Sequence, residues 1–117
     1  MAGGASTRDG RLRSGWQFRE VYRSGSSFHG NLMTLVSLGK PDDRGRIAYV
    51  ASRKVGPAVR RNRAKRLLRE GFRALSAARR DEPRWRIWIA RAACSRSTAG
   101  IVAAEMALLV SRERSLK

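Results

Sequence analysis

The sequence predicts an α+β domain built on one sheet covered by helices, and three observations carry that expectation. The chain has 117 residues, enough for one domain with one modest core. Short runs rich in β-branched and aromatic residues, "NLMTLVSL" at 31–38, "RIAYVAS" at 46–52 and "WRIWIAR" at 85–91, read as strands. The stretches around them repeat apolar residues at helical spacing, which gives the order helix, strands, helix, strand, helix.

Each element has its own signal. Residues 1–13 are rich in Gly, Ala, Ser and Arg and read as a mobile, partly basic arm. The domain is expected over 14–112, with a short tail at 113–117. Ser14 stands where a cap would start a helix over 15–24, in which Phe18, Val21 and Tyr22 share one stripe. Gly25 ends it, and 26–29 is a short strand. "GKPDDRG" at 39–45 is a turn by composition, so the strands either side of it are expected to pair as a hairpin with a long loop. "RKVGP" at 53–57 breaks the strand, and Pro57 suits the start of the helix that is expected to run to residue 78. A loop at 79–84 leads to the strand at 85–91. Trp85 and Trp88 on that strand point to opposite faces, one expected in the core and the other free to join a binding surface. The closing helix is expected over 97–111, capped by Ser97 or Thr98, with Ile101, Ala104, Met106, Leu108 and Leu109 covering a broad apolar face.

Charge narrows the function. The chain carries 26 Lys and Arg against 9 Asp and Glu, a formal net charge of +17, and its pI is near 11.8. Such a balance marks a nucleic-acid binder or a membrane-surface protein. Most of the cations are Arg, which pairs with phosphate in a bidentate fork; codon bias in a GC-rich genome explains the preference equally well. The single cysteine, Cys94, fits a reducing cytosol. It has no evident base partner and reads as a passive residue near a strand end. No apolar run approaches the ~18 residues of a membrane span, and the first residues lack the apolar core of a signal peptide.

The middle helix concentrates the charge. Between Arg53 and Arg73 there are nine basic residues and one acid, Glu70. At 100° per residue, Ala64, Leu67, Leu68, Gly71, Phe72 and Leu75 form one stripe, suited to packing on the sheet. Asn62, Arg66, Arg69 and Arg73 fall on the opposite face, flanked by Arg63 and Lys65, while Arg61 lies nearer the sheet boundary. An ordinary solvated helix face mixes acids with bases, because like charges at i, i+4 repel by ~0.2–0.5 kcal/mol per pair. A one-signed ridge is suited to a polyanion whose phosphates it neutralises.

The run "ASRKVGPAVRRNRAKRLLREGFRAL" at 51–75 resembles the signature of the bacterial ribonuclease P protein subunit. The match is ordered: Ser52 with Arg53 and Lys54, then Val55 and Gly56, Ala58 and Val59, the "RNR" triplet Arg61, Asn62 and Arg63, then Lys65, Arg66 and Leu67, and Arg69, Glu70, Phe72 and Arg73. "RLRSGWQFREVYRSG" at 11–25 looks like the family's opening helix, with Phe18 and Tyr22 at its aromatic positions, and "IWIAR" at 87–91 like its later strand. The resemblance covers residues 11–110. Arg53 departs from the usual Lys, and Arg86 stands where the family often has a polar or acidic residue.

The resemblance implies a four-stranded sheet with the basic helix in a left-handed crossover between parallel strands, against the usual hand. It implies the small subunit of a bacterial, cytoplasmic ribonucleoprotein that removes the 5′ leader of precursor tRNA. Hydrolysis then belongs to the RNA subunit and its magnesium ions. Arg53, Lys54, Arg60, Arg61, Asn62, Arg63, Lys65, Arg66, Arg69 and Arg73 are the expected contacts to the RNA subunit. Phe18 and Tyr22, with Phe28 at the edge, are the expected leader contacts, since base stacking tolerates any sequence. For Phe18, core packing and cleft lining are both open. No catalytic or metal-binding residue is expected in the protein: His29 has no neighbouring carboxylate in sequence, and the acid pairs Asp42–Asp43 and Asp81–Glu82 lie in turns, far from the convergent set a two-metal nuclease needs. Three rivals remain. A general RNA- or ribosome-binding protein lacks a reason for the ordered "RNR" run. A DNA-binding regulator would need a helix-turn before the basic helix. A membrane-surface helix would need its apolar face free for lipid, whereas here the strands offer it a sheet.

Overall fold

In the computed structural model, which describes residues 10–115, the elements run α1 (Gly15–Ser24), β1 (Ser26–His29), β2 (Met33–Gly39), β3 (Arg46–Ala51), a 3₁₀ turn (Arg53–Val55), α2 (Ala58–Arg73), α3 (Ala77–Arg80), β4 (Arg84–Ala90), a second 3₁₀ turn (Ala92–Arg96) and α4 (Ala99–Ser115). One sheet has the order β1-β2-β4-β3. The expected hairpin of the second and third strands is not formed: β2 and β3 both pair with β4, antiparallel and parallel respectively. The physical reason lies in β4 itself. Trp85, Ile87 and Ile89 face one side while Trp88 and Ala90 face the other, so the strand is apolar on both faces and belongs in the middle of the sheet. The hairpin is β1–β2, in register Phe28↔Leu35. β3 and β4 are parallel neighbours joined through α2, as the expected crossover requires.

Helices cover both faces. Against one pack Ala64, Leu67 and Leu68 of α2 and Val102, Met106, Leu109 and Val110 of α4, meeting Met33, Leu35 and Trp88. Against the other packs α1 through Val21, meeting Val36, Trp85 and Ile87. Both tryptophans of β4 are therefore core, and neither is left for a binding surface. Gly71 is the contact point of α2 with α4: a Cβ there would lie 2.7 Å from Met106 Sδ and 3.0 Å from Val102 Cγ1. α4 turns its buried stripe differently from expectation. Val102, Met106, Leu109 and Val110 are buried, while Ile101 and Leu108 are more than half exposed.

Several boundaries shift. Residues 1–9 of the expected arm lie outside the described residues, but Gly10–Arg13 belongs to the domain. Leu12 is buried, and its amide donates to Ile47 O at 3.0 Å while Ile47 N donates to Gly10 O, which adds a parallel bridge along β3. α2 ends at Arg73 rather than 78, because Ser76 caps a new turn by accepting from Arg79 N. Gly25 ends α1 in an extended conformation, not a left-handed one; a Cβ there would sit 2.6 Å from Val21 O and 2.8 Å from Ser37 O. Thr98 caps α4 by accepting from Ile101 N. The helix continues to Ser115, into the expected tail, because Glu113 is buried against Arg86; residues 116 and 117 lie outside the described residues. No helix among the described residues is long and apolar enough to cross a membrane.

Candidate nucleic-acid interface

α2 starts where the backbone requires glycine. Gly56 has φ +135°, a region that L side chains rarely adopt. Before it, the turn at Arg53–Val55 buries Val55 and leaves Arg53 and Lys54 exposed, with Ser52 Oγ accepting from Lys54 N. The inner stripe of α2 is buried as its spacing requires, with Phe72 and Leu75 packed at its margin. The outer face presents Arg60, Asn62, Arg66, Arg69 and Arg73 to solvent, while Arg61 and Lys65 are half-buried at the flanks. Among the described residues, no carboxylate pairs with Arg60, Arg61, Lys65, Arg66, Arg69 or Arg73.

Arg63 behaves differently from the rest of the expected set. Its Nε donates to Ser95 O at 2.8 Å and its Nη2 to Ser97 O at 3.3 Å, so the guanidinium ties α2 to the turn that precedes α4. Cys94 in that turn is buried, with its thiol pushed up to about 11 by burial first and by the Glu105 carboxylate second. A thiol so suppressed is no nucleophile at neutral pH.

The aromatic candidates do not stay together. Phe18 packs on the α1 side of the core and lines a groove of about 250 Å³ with Arg11, Ala48, Tyr49, Lys65 and Arg69. The groove follows β3, the sheet edge, so it joins α1 to the basic helix. Tyr22 is half exposed and borders a separate recess on α1 with Trp16, Arg19 and Arg23. Its hydroxyl is held neutral above the ordinary tyrosine value by burial. Phe28 lies on the other face of the sheet: its register with Leu35 packs it among the α2 and α4 core. It is not at the edge of the groove that Phe18 lines.

Sequence reasoning missed Arg11, Tyr49 and Trp16. Arg11 sat in the presumed arm. Tyr49 lies at the exposed edge of β3, and burial pushes its hydroxyl up to about 12 even though Arg69, Arg73 and Arg11 pull it down. Trp16 stands half exposed, edge-on to Trp85 at 5.8 Å, with Lys40 Nζ 4.5 Å from the Trp85 ring centroid. Its i, i+3, i+7 spacing with Arg19 and Arg23 on α1 was the signal for it. The His29 imidazole meets Thr34 Oγ1 at 3.3 Å. Among the described residues no three His, Cys, Asp or Glu side chains converge on one point.

Fold and surface together define a single α+β domain with a four-stranded mixed sheet and one cationic helix face, a fold shared with solved RNase P proteins. The structure of that protein from Thermotoga maritima superposes with a TM-score of 0.75 at 27% identity, covering 87% of this chain and 96% of that one. The Staphylococcus aureus protein superposes at 0.77 with 23% identity, over 89% and 94%, which speaks for the fold alone. The family model for Ribonuclease P matches residues 7–113, and the chain belongs to that family. The ribonuclease P protein component of Desulfotalea psychrophila is 40% identical over 62 residues, 53% of this chain and 52% of that protein. The chain thus spans about half the length of that relative. The component from Clostridium acetobutylicum is 37% identical over 90 residues, 75% of each chain.

Proposed function

We propose that this chain is the protein subunit of ribonuclease P. It binds the catalytic RNA subunit through the face of α2 and holds the 5′ leader of precursor tRNA in the groove beside Phe18. The RNA and its magnesium ions perform the hydrolysis that leaves the mature 5′ end. One observation carries the reading: nine basic residues between Arg53 and Arg73 face a single acid, and the exposed ones among them have no carboxylate partner among the described residues. In the free protein this arrangement is repulsive, and phosphates relieve it by counterion release.

The groove supports the second half of the reading. It brings an aromatic ring, Phe18, beside Lys65 and Arg69, the combination that holds single strands without regard to sequence. Arg63 acts in this reading mainly through the turn it fastens, and Phe28 supports the core.

Reconstitution tests the proposal. The protein alone leaves precursor tRNA intact. Added to its cognate RNA subunit, it lowers the magnesium needed for cleavage and tightens binding of precursor over mature tRNA. If the RNA subunit gains nothing, a general RNA-binding role takes its place. Arg61→Ala with Arg66→Ala weakens assembly with the RNA subunit, while Phe18→Ala reduces discrimination for the leader. The same defect from both sets would contradict two separate surfaces.

A further inference from the structure

A cavity of about 690 Å³ lies where the loop before β3 meets the turn between α3 and β4, bordered by Phe72 of α2. Gly45 makes the meeting possible: a Cβ there would lie 2.6 Å from Glu82 O and 3.5 Å from Arg80 O. The cavity is lined by Arg44, Arg46, Arg80, Arg84 and Arg86, with Asp81 as the one acid. Three of these arginines are already matched. Arg46 pairs with Asp43 at 2.7 Å, Arg86 with Glu113 and Glu82, and Arg84 reaches Glu113 at 3.9 Å.

Arg44 and Arg80 are not matched. Arg80 spends its Nε on Leu75 O at 3.0 Å and meets no carboxylate among the described residues. Arg44 Nη1 is buried and has no hydrogen-bond partner among the described residues. A buried guanidinium nitrogen without an acceptor is costly, and Arg44 borders a cavity with room for an anion. Phe72 supplies an apolar wall.

We propose that this cavity is a binding site for a phosphate oxyanion, received by Arg44 and Arg80. The tetrahedral, doubly accepting oxygens of phosphate match the planar donor fork of Arg. The cavity also continues into the β3 edge: a neighbouring recess shares Gly10, Ile47, Phe72 and Arg80 with it and adds Arg69 and Arg73. The oxyanion is therefore either a backbone phosphodiester of an RNA that follows this edge or free inorganic phosphate.

The test needs neither the RNA subunit nor precursor tRNA, so its failure is separate from failure of the ribonuclease P reading. Arginine Nε–H and Gly45 amide signals of the full chain are followed by NMR. Inorganic phosphate and a single-stranded RNA octamer are titrated separately, against chloride at matched ionic strength. Arg44 and Gly45 are expected to shift and saturate. Arg44→Gln is expected to weaken half-saturation by about tenfold or more, the loss of one charged hydrogen bond. Arg96→Gln, exposed in the turn after β4 at the far end of the sheet from the cavity, leaves it unchanged. Arg80→Gln gives the same weakening from the other wall, should Arg44→Gln disturb the loop. Saturation by the octamer at lower concentration assigns a backbone phosphodiester, and saturation by phosphate at the same or lower concentration assigns the free anion. No saturable shift with either, equal shifts with chloride, or saturation unaffected by both variants overturns the proposal.

Discussion

Arg66 on α2 and Arg86 on β4 carry the same guanidinium under opposite conditions. Arg66 is exposed and has no acid partner among the described residues. Arg86 is 2% exposed and meets Glu113 through Nε and Nη2, both at 2.8 Å, Glu82 at 2.6 Å and Arg79 O at 3.0 Å. Burial disfavours its charge, but the two carboxylates outweigh burial and hold its pKa above the ordinary value. A charge buried without partners is prohibitive, so the interior matches its arginine fully. The outer face of α2 has water to solvate its cations, so it can leave them open for another molecule.

The comparison breaks first at the buried end. Glu113→Ala strands Arg86 with only Glu82 and is expected to cost ~3–5 kcal/mol, read by urea unfolding. Replacing Arg86 by Met and Glu113 by Leu together recovers most of that loss, because the two fully buried charges leave together while Glu82 and Arg84 keep access to solvent. Next comes the inner side of α2. Gly71→Ala forces a methyl against Met106 and Val102 and is expected to cost ~1–3 kcal/mol through overpacking. A stability change near zero would mean that α2 and α4 can move apart.

A smaller effect lies at Asp43, which accepts from Arg46 Nε at 2.7 Å, Arg44 N at 2.8 Å and Trp85 Nε1 at 3.0 Å. Burial raises its pKa, but these bonds prevail and hold it below its ordinary 3.8. Its stabilisation is therefore present above that value and lost as pH falls through the depressed one. Asp43→Asn is expected to cost about 1 kcal/mol at neutral pH and to flatten the acid limb of the stability profile. The smallest effect belongs to the ridge: Arg66→Ala is expected to move stability by no more than ~0.5 kcal/mol, while weakening RNA binding.

Much of this contrast was legible before the fold was known. The spacing of Ala64, Leu67, Leu68 and Gly71 fixed which side of α2 is buried, and so which side displays Asn62, Arg66, Arg69 and Arg73. Strand pairing was not legible from chain order, because β4 inserts between β2 and β3 across the long excursion through α2. The apolar character of both faces of "WRIWIA" was the available sign of a central strand. Glu113 was hidden because a lone acid near the end of a basic chain looks like tail. Its place eleven residues after Val102, on the same helical stripe, gave it away only once that stripe was known to be buried. Phe28 was misplaced for a simpler reason: alternation in a short strand does not say which helix covers which face.

The central claim is that the open cations of α2 are completed by RNA phosphates. It is tested most directly by the salt dependence of binding between the chain and the catalytic RNA subunit, for the wild type and for Arg66→Ala with Arg69→Ala. The account predicts that the slope of log affinity against log salt falls by about 0.7–0.9 for each phosphate contact removed. Equal slopes for the two proteins would contradict it.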